Sequence, residues 1–288
     1  MLSAYVESLK LRIGIFIGMA AVLGYLATLR RAPSPGELAL LFVTVVAAAA
    51  GAGALNHYLD RDLDRLMRRT AGRPLAAGRI AHPWHVVALG VALIAMAVAV
   101  ALWVLNPLVA LHVFLGAFTY VVVYTVWLKR RTWLNVVIGG LAGSFAVLGG
   151  GSLARPELCL PPMIFATVLF FWSPTHFWSL GIAYKEEYAG ARIPMLPAVV
   201  GEARAARSIL VNTVGLVVAA ALPVILGLLG LAYAGLVALG SVYLVARNLQ
   251  LVARPAERRL ALHSFHASNL WLLLVFLGVV ADVLGGWR

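Results

Sequence analysis

Long apolar runs, broken at short intervals by charge, proline or glycine, set the pattern of this chain. Nine of them come close to or exceed the ~20 residues that a helix needs to cross a bilayer. They lie at residues 12–29, 37–59, 84–105, 107–128, 134–153, 161–184, 206–229, 231–250 and 263–284. Pro33 and Pro35 interrupt the chain after the first run, and Pro161 and Pro162 open the sixth. Asn106 and Pro107 mark a tight turn between the third and fourth. Only a short turn near Gly230 divides the seventh from the eighth. Arg30 and Arg31, rather than a small-residue cleavage site, follow the first run, which is read as a retained span.

Composition agrees with this pattern. The chain has 288 residues, 62% of them hydrophobic and only 12% charged, with a mean hydropathy of +0.94. That is too apolar for a soluble domain of this length. The expected fold class is an all-α polytopic membrane protein, one integral-membrane domain over residues 1–288 with nine transmembrane helices. The net charge of +12 does not point to nucleic acid, because the basic residues fall between the apolar runs. With the Asp60–Pro83 connection placed inside the cell, nineteen of the 23 Lys and Arg are inside, and Arg30, Arg31, Arg155 and Arg288 are outside. This asymmetry predicts a cytoplasmic amino terminus and an external carboxyl terminus. The single cysteine, Cys159, excludes an intrachain disulfide. No run carries a charge at its centre, which argues against a proton pump or ion-coupled transporter. No inverted repeat of broken helices supports a transporter either.

The polar exceptions carry the chemistry. Asn56, Asp60 and Asp64 recur at i, i+4 and i+8 where the second run ends. On a helix they fall within about an 80° arc. Three oxygen ligands on one face suit a hard divalent cation such as magnesium. The arginines that follow, from Arg61 to Arg79, suit a phosphate. A mixed-charge loop obeying the positive-inside rule explains the arginines but not the Asn/Asp/Asp stripe. The stretch therefore reads as a site for a magnesium-complexed diphosphate at a membrane surface.

Two other connections stand out. Lys129, Arg130 and Arg131 follow the fourth run. They serve either as a topology signal or as cations meeting the diphosphate from the other side. Asn135 stands at the mouth of the fifth run, able to hold a ligand or a neighbouring backbone. Between Phe170 and Pro197, His176 and Glu187 are eleven positions apart, nearly one helical face. A continuous helix would set them about 16 Å apart in depth. His176 either lines a ligand pocket or bonds a neighbouring helix, and Glu187 is the natural second magnesium carboxylate. Tyr120, Tyr124 and Trp127 are spaced to share one face of the fourth run, and Trp172 belongs to an aromatic group on the sixth. Such rings anchor and pack, and they can also shield an allylic cation.

These strings resemble the UbiA superfamily of intramembrane prenyltransferases. N-x-x-x-D-x-x-x-D is the superfamily's first motif. D-R-D-L-D-R-L-M-R-R-T, L-K-R-R-T and S-P-T-H-F-W-S-L, with Y-K-E-E-Y after it, are similar to its haem-farnesylating branch. The resemblance implies nine helices around a central cavity, in the inner (plasma) membrane, and transfer of farnesyl from farnesyl diphosphate to a vinyl group of haem B. It implies two magnesium ions, the first on Asn56, Asp60 and Asp64 and the second on Glu187. Tyr184 and His176 join these four as catalytic residues. Arg65, Arg69, Arg73, Lys129, Arg130, Arg131 and Lys185 are implied for the diphosphate. His176, Trp172, Tyr120, Tyr124 and Asn135 are implied for the haem or prenyl cavity. A haem A synthase or an oxidase assembly factor is the protein partner such a reaction would have. The chain departs from the superfamily in having Ala191 where a second carboxylate is usual, Glu187 before Tyr188 where the branch has aspartate, His57 after Asn56, and Leu11 in place of proline. A quinone-precursor prenyltransferase is the rival reading within enzymes, and the H-F-W string on the sixth run stands against it.

Overall fold

The computed structural model describes residues 2–29 and 31–286, so the expectations for Arg30 and Arg288 lie outside the described residues. Among the described residues, nine helices are long and apolar enough to cross a membrane. They are α1 Leu11–Thr28, α2 Pro35–Arg65, α3 Pro83–Leu105, α4 Pro107–Leu128, α5 Asn135–Ala154, α6 Leu160–Ala183, α7 Glu202–Ile225, α8 Leu231–Ala253 and α9 Arg258–Leu284. There is no strand among the described residues. Proline opens α2, α3 and α4 at the first helical position, where a missing N–H costs nothing. Asn106 caps α4, its Oδ1 accepting from Val109 N at 2.9 Å while its Nδ2 donates to Ser152 O at 2.9 Å.

Successive helices run antiparallel and pack side by side, from α2 to α9, and α1 lies against α2, α5, α6 and α9. The connections after α2, α4, α6 and α8 therefore gather at one end, here called the site end. Trp271, Tyr25, Tyr233 and Phe165 fill the interior. Trp103, Val211 and Leu231 point outward at 81%, 72% and 80% exposure, as a lipid-facing surface requires. At the far end, Asp282 of α9 accepts from Gly230 N at 2.5 Å and Tyr233 N at 3.4 Å, capping the start of α8.

Three local features differ from the expected pattern. α2 continues past residue 59 to Arg65, a 31-residue helix about 46 Å long. It outreaches the ~30 Å hydrocarbon core, so Asp60 and Asp64 stay helical at the membrane surface. The last ten residues of α4, Thr119–Leu128, wind as a π-helix. The wider turn keeps Tyr120 and Tyr124 stacked at 5.7 Å but leaves Trp127 54% exposed, off their face. Finally, α6 breaks at Tyr184 (φ −126°, ψ 29°), and Lys185–Gly190 forms a separate short helix. His176 and Glu187 do not share one continuous helix, and the 16 Å separation read from the sequence does not apply.

Candidate active site

The polar residues of α2 form a paired row at the site end. Asn56, Asp60 and Asp64 are 2%, 1% and 4% exposed. Asn56 Nδ2 donates to Asp60 Oδ2 at 2.8 Å and to Thr125 Oγ1 at 2.9 Å. Thr125 reaches this position through the π-winding of α4, where its hydroxyl also donates to Tyr120 O at 2.8 Å. Lys129, just past α4, donates to Asp60 Oδ2. Arg73 donates to both oxygens of Asp64. Asp60 Oδ1 is buried and has no partner among the described residues.

Lys10 completes the row from the amino-terminal side. It sits between the short helix Leu2–Ser8 and α1 with φ 50° and ψ 40°, a left-handed conformation rare for a side-chain-bearing residue. Gly53 makes the approach possible: a β-carbon there would stand 3.0 Å from Leu9 O and 3.3 Å from Lys10 Cβ. Lys10 Nζ donates to Asn56 Oδ1. Burial, then the Arg73 guanidinium, push the ammonium pKa down to about 7, with Asp60 acting in the opposite direction.

The connection after α2 folds back over this row. Thr70 Oγ1 donates to Asp64 O at 3.1 Å, and Arg65 Nε to Ala76 O at 3.0 Å. The backbone N–H of Arg69 donates to Glu187 Oε2 at 3.3 Å, and its guanidinium to Tyr188 OH at 3.4 Å. The Tyr184 ring lies between two guanidiniums, Arg69 at 5.4 Å and Arg258 at 5.0 Å. The tertiary structure thus brings Lys129 to Asp60 and Arg73 to Asp64 along one helix, and the same connection after α2 meets Glu187 and Tyr184 through Arg69.

Other expected residues stand elsewhere. Arg65 turns to the connection and to Asp62 at 3.8 Å. Arg130 donates to Leu59 O at 3.3 Å, and Arg131 is exposed. Lys185 pairs with Glu202 of α7 at 2.7 Å, away from Asp60 and Asp64. Asn135 is fully buried, its Nδ2 donating to Thr132 O at 2.7 Å and its Oδ1 without a partner among the described residues. His176 shares a hydrogen bond with Ser268 Oγ at 2.9 Å and lies between the rings of Trp172 (4.4 Å) and Phe265 (4.3 Å). Trp172 Nε1 donates to Ser268 O at 2.8 Å. Of the two roles the sequence left open for His176, the observed contact is with the neighbouring helix α9.

An apolar cavity leads from Lys10 and Tyr120 into the bundle, walled by α1, α2, α4 and α5. A buried acidic row beside cations, linked through Lys10 to an apolar cavity, is suited to a ligand with an anionic head and a hydrocarbon tail.

Comparison with known proteins agrees. The sequence profile of the UbiA prenyltransferase family matches residues 17–281. The chain belongs to this family. Two proteins of Paramagnetospirillum magneticum are similar over nearly their whole length. Protoheme IX farnesyltransferase 2 is 47% identical, covering 96% of this chain and 95% of the relative. Protoheme IX farnesyltransferase 1 is 48% identical, covering 96% and 97%. Among solved structures, that of a digeranylgeranylglyceryl phosphate synthase superposes with a TM-score of 0.81 at 18% identity, covering 99% of each chain. A UbiA homologue from Archaeoglobus fulgidus bound to DMAPP and Mg2+ gives 0.70 at 17%, covering 96% of this chain and 99% of that one. At such identities the likeness speaks for the fold.

Sequence reasoning missed three residues of this candidate site. Lys10 and Arg258 read only as topology charges, because a cation beside an apolar run has that explanation ready. Thr125 was hidden because its placement depends on a π-turn that no hydrophobic period announces.

Proposed function

We propose that this chain transfers the farnesyl group of farnesyl diphosphate to a vinyl group of haem B, with addition of water, giving haem O and diphosphate. The observation that carries the reading is the buried Asp60 carboxylate, with one oxygen unpartnered, bonded to Asn56, which in turn accepts from Lys10 on the lining of the apolar cavity. The full-length identity to protoheme IX farnesyltransferases supports haem B as the acceptor.

The donor set fits magnesium. Among the described residues no cluster of three or more His, Cys, Asp or Glu stands ready to hold an ion. Two carboxylates and an amide suit an ion whose remaining ligands are water and diphosphate oxygens. Asn56, Asp60 and Asp64 would hold the first ion and Glu187 the second. When bound, magnesium neutralises negative charge growing on the departing diphosphate.

The chain's own groups do the rest. Arg73, Lys129 and Lys10 bind diphosphate oxygens and stabilise the leaving group as the allylic C–O bond breaks. The Tyr120 ring, on the lining of the cavity and stacked on Tyr124, offers an electron-rich face to the allylic cation. The vinyl carbon of haem attacks that cation. Water then captures the cation left on the haem side and releases a proton. We further propose that the site end faces the cytoplasm of the cell's inner (plasma) membrane, with the carboxyl terminus outside.

The test is an incubation of purified protein with farnesyl diphosphate and magnesium, with and without haem B. Diphosphate release and a product of haem O mass are expected only when haem B is present. Farnesylation of a phenolic quinone precursor instead, with haem B inert, would overturn the acceptor assignment.

A further inference from the structure

We propose that the cavity walled by α1, α2, α4 and α5 receives the isoprenoid chain, and that its closed end, floored by His112 and Phe145, limits the chain to three isoprene units. The inference rests on the prenyl-transfer reading above and adds a length limit set by this chain's own residues.

The four helices form a closed ring, since α1 meets α2, α2 meets α4, α4 meets α5 and α5 meets α1. The walls are mostly alanine and glycine, such as Ala48, Ala52, Gly116 and Ala146, which leave free volume inside the ring. At the mouth stand Lys10, which donates to Asn56, and Tyr120. A chain entering here has its anionic head at the Asn56/Asp60 row.

Glycines close the other end. A β-carbon on Gly150 would stand 1.8 Å from Ala21 O, and one on Gly24 would stand 1.9 Å from Val147 O. The backbones of α1 and α5 therefore touch with nothing between them, and the cavity's lining on α5 ends at the level of that crossing, at Gly149. Its last residues include His112, Phe145 and Gly149. His112 is fixed there by Leu108 O at 2.8 Å and Ser152 Oγ at 3.3 Å, with its ring 6.3 Å from that of Phe145. A β-carbon on Gly149 would stand 3.4 Å from His112 Cβ, so the floor has no slack on that side.

The depth can be compared with the ligand. Lys10 at the mouth and Ala21 at the crossing are eleven positions apart, about 16 Å along a helix. An extended chain covers roughly 1.2 Å per bond, by the reach of a peptide residue with its three backbone bonds. Counted from the diphosphate oxygen, farnesyl then spans about 14 Å and geranylgeranyl about 19 Å. The first fits above the crossing and the second does not.

The experiment compares geranyl, farnesyl and geranylgeranyl diphosphates in wild type, Phe145→Ala and Gly149→Val. Binding is measured without haem, and kcat/KM is measured with it. Removing the ring in Phe145→Ala leaves room for the fourth isoprene unit to fold back above the crossing, and is expected to raise the geranylgeranyl-to-farnesyl ratio about tenfold or more. Raising the floor in Gly149→Val is expected to shift preference to geranyl by a similar factor. Unchanged ratios in folded variants would place the chain elsewhere. Because binding is read without haem, a wrong acceptor would leave these shifts intact, so the two readings fail separately. Should a variant not fold, wild-type protein is photolabelled with a farnesyl diphosphate analogue bearing a benzophenone at its tail. Crosslinks within residues 109–117 or 142–149 are expected, and crosslinks to α6–α9 would overturn the proposal.

Discussion

Arg73 holds both oxygens of Asp64, at 2.8 and 2.9 Å, from the connection that folds back over the end of α2. Asp60 is held by Lys129 through Oδ2 alone. Each of these two carboxylates is thus paired with a cation from outside α2. Cation and carboxylate are held together at the place where a magnesium diphosphate would need both. This arrangement offsets the cost of burying the two carboxylates and fixes their positions.

The first prediction concerns that row. Asp60→Asn and Asp64→Asn are expected to lower turnover by about 10²–10³-fold, the scale of losing one preorganised charge at a leaving group. Chelation of magnesium in the wild type should abolish turnover, and adding the ion back should restore it. Thermal melting and gel filtration in detergent establish that the variants are folded. Near-normal turnover by either one would remove the row from the site.

His176 gives the second prediction. It is bonded to Ser268 and sandwiched by Trp172 and Phe265, so its observed work is joining α6 to α9. His176→Ala is expected to lower the melting temperature while leaving the absorption spectrum of bound haem B unchanged. Loss of the hydrogen bond and the ring contacts amounts to about 2–4 kcal/mol. A shifted haem spectrum in the variant would instead make the imidazole an iron ligand.

A third prediction concerns the far end, where Asp282 caps α8 through Gly230 and Tyr233. Asp282→Ala is expected to cost about 1–2 kcal/mol, as the loss of a helix cap does. The kcat/KM for farnesyl diphosphate should stay within twofold of wild type, because the cap lies a bundle's length from Asp60. A large loss of kcat/KM with an unchanged melting temperature would contradict a purely structural role.

Much of this protein could be read from its sequence because a bilayer is a demanding solvent. Unpaired backbone groups are too costly in hydrocarbon for anything but helices at this length. Nine apolar runs therefore became nine helices among the described residues, with ends shifted by a few residues. Asn56, Asp60 and Asp64 were legible for the same reason: polar residues at helical spacing beside an apolar run need an explanation that packing does not supply.

What the sequence did not determine depends on contacts between segments far apart in the chain. Lys10 reaches Asn56 only because its own backbone is left-handed and Gly53 has no side chain. Thr125 reaches Asn56 only because α4 widens to a π-turn. Glu187 joins the site through the backbone of Arg69, 118 positions away, and not through a helix shared with His176. The closed end of the apolar cavity depends on Gly24 and Gly150 letting α1 and α5 touch. Local periodicity fixes which residues share a helix face, since that follows from 3.6 residues per turn. Which faces meet is decided by close packing and side-chain volume, and these exist only once the helices are assembled.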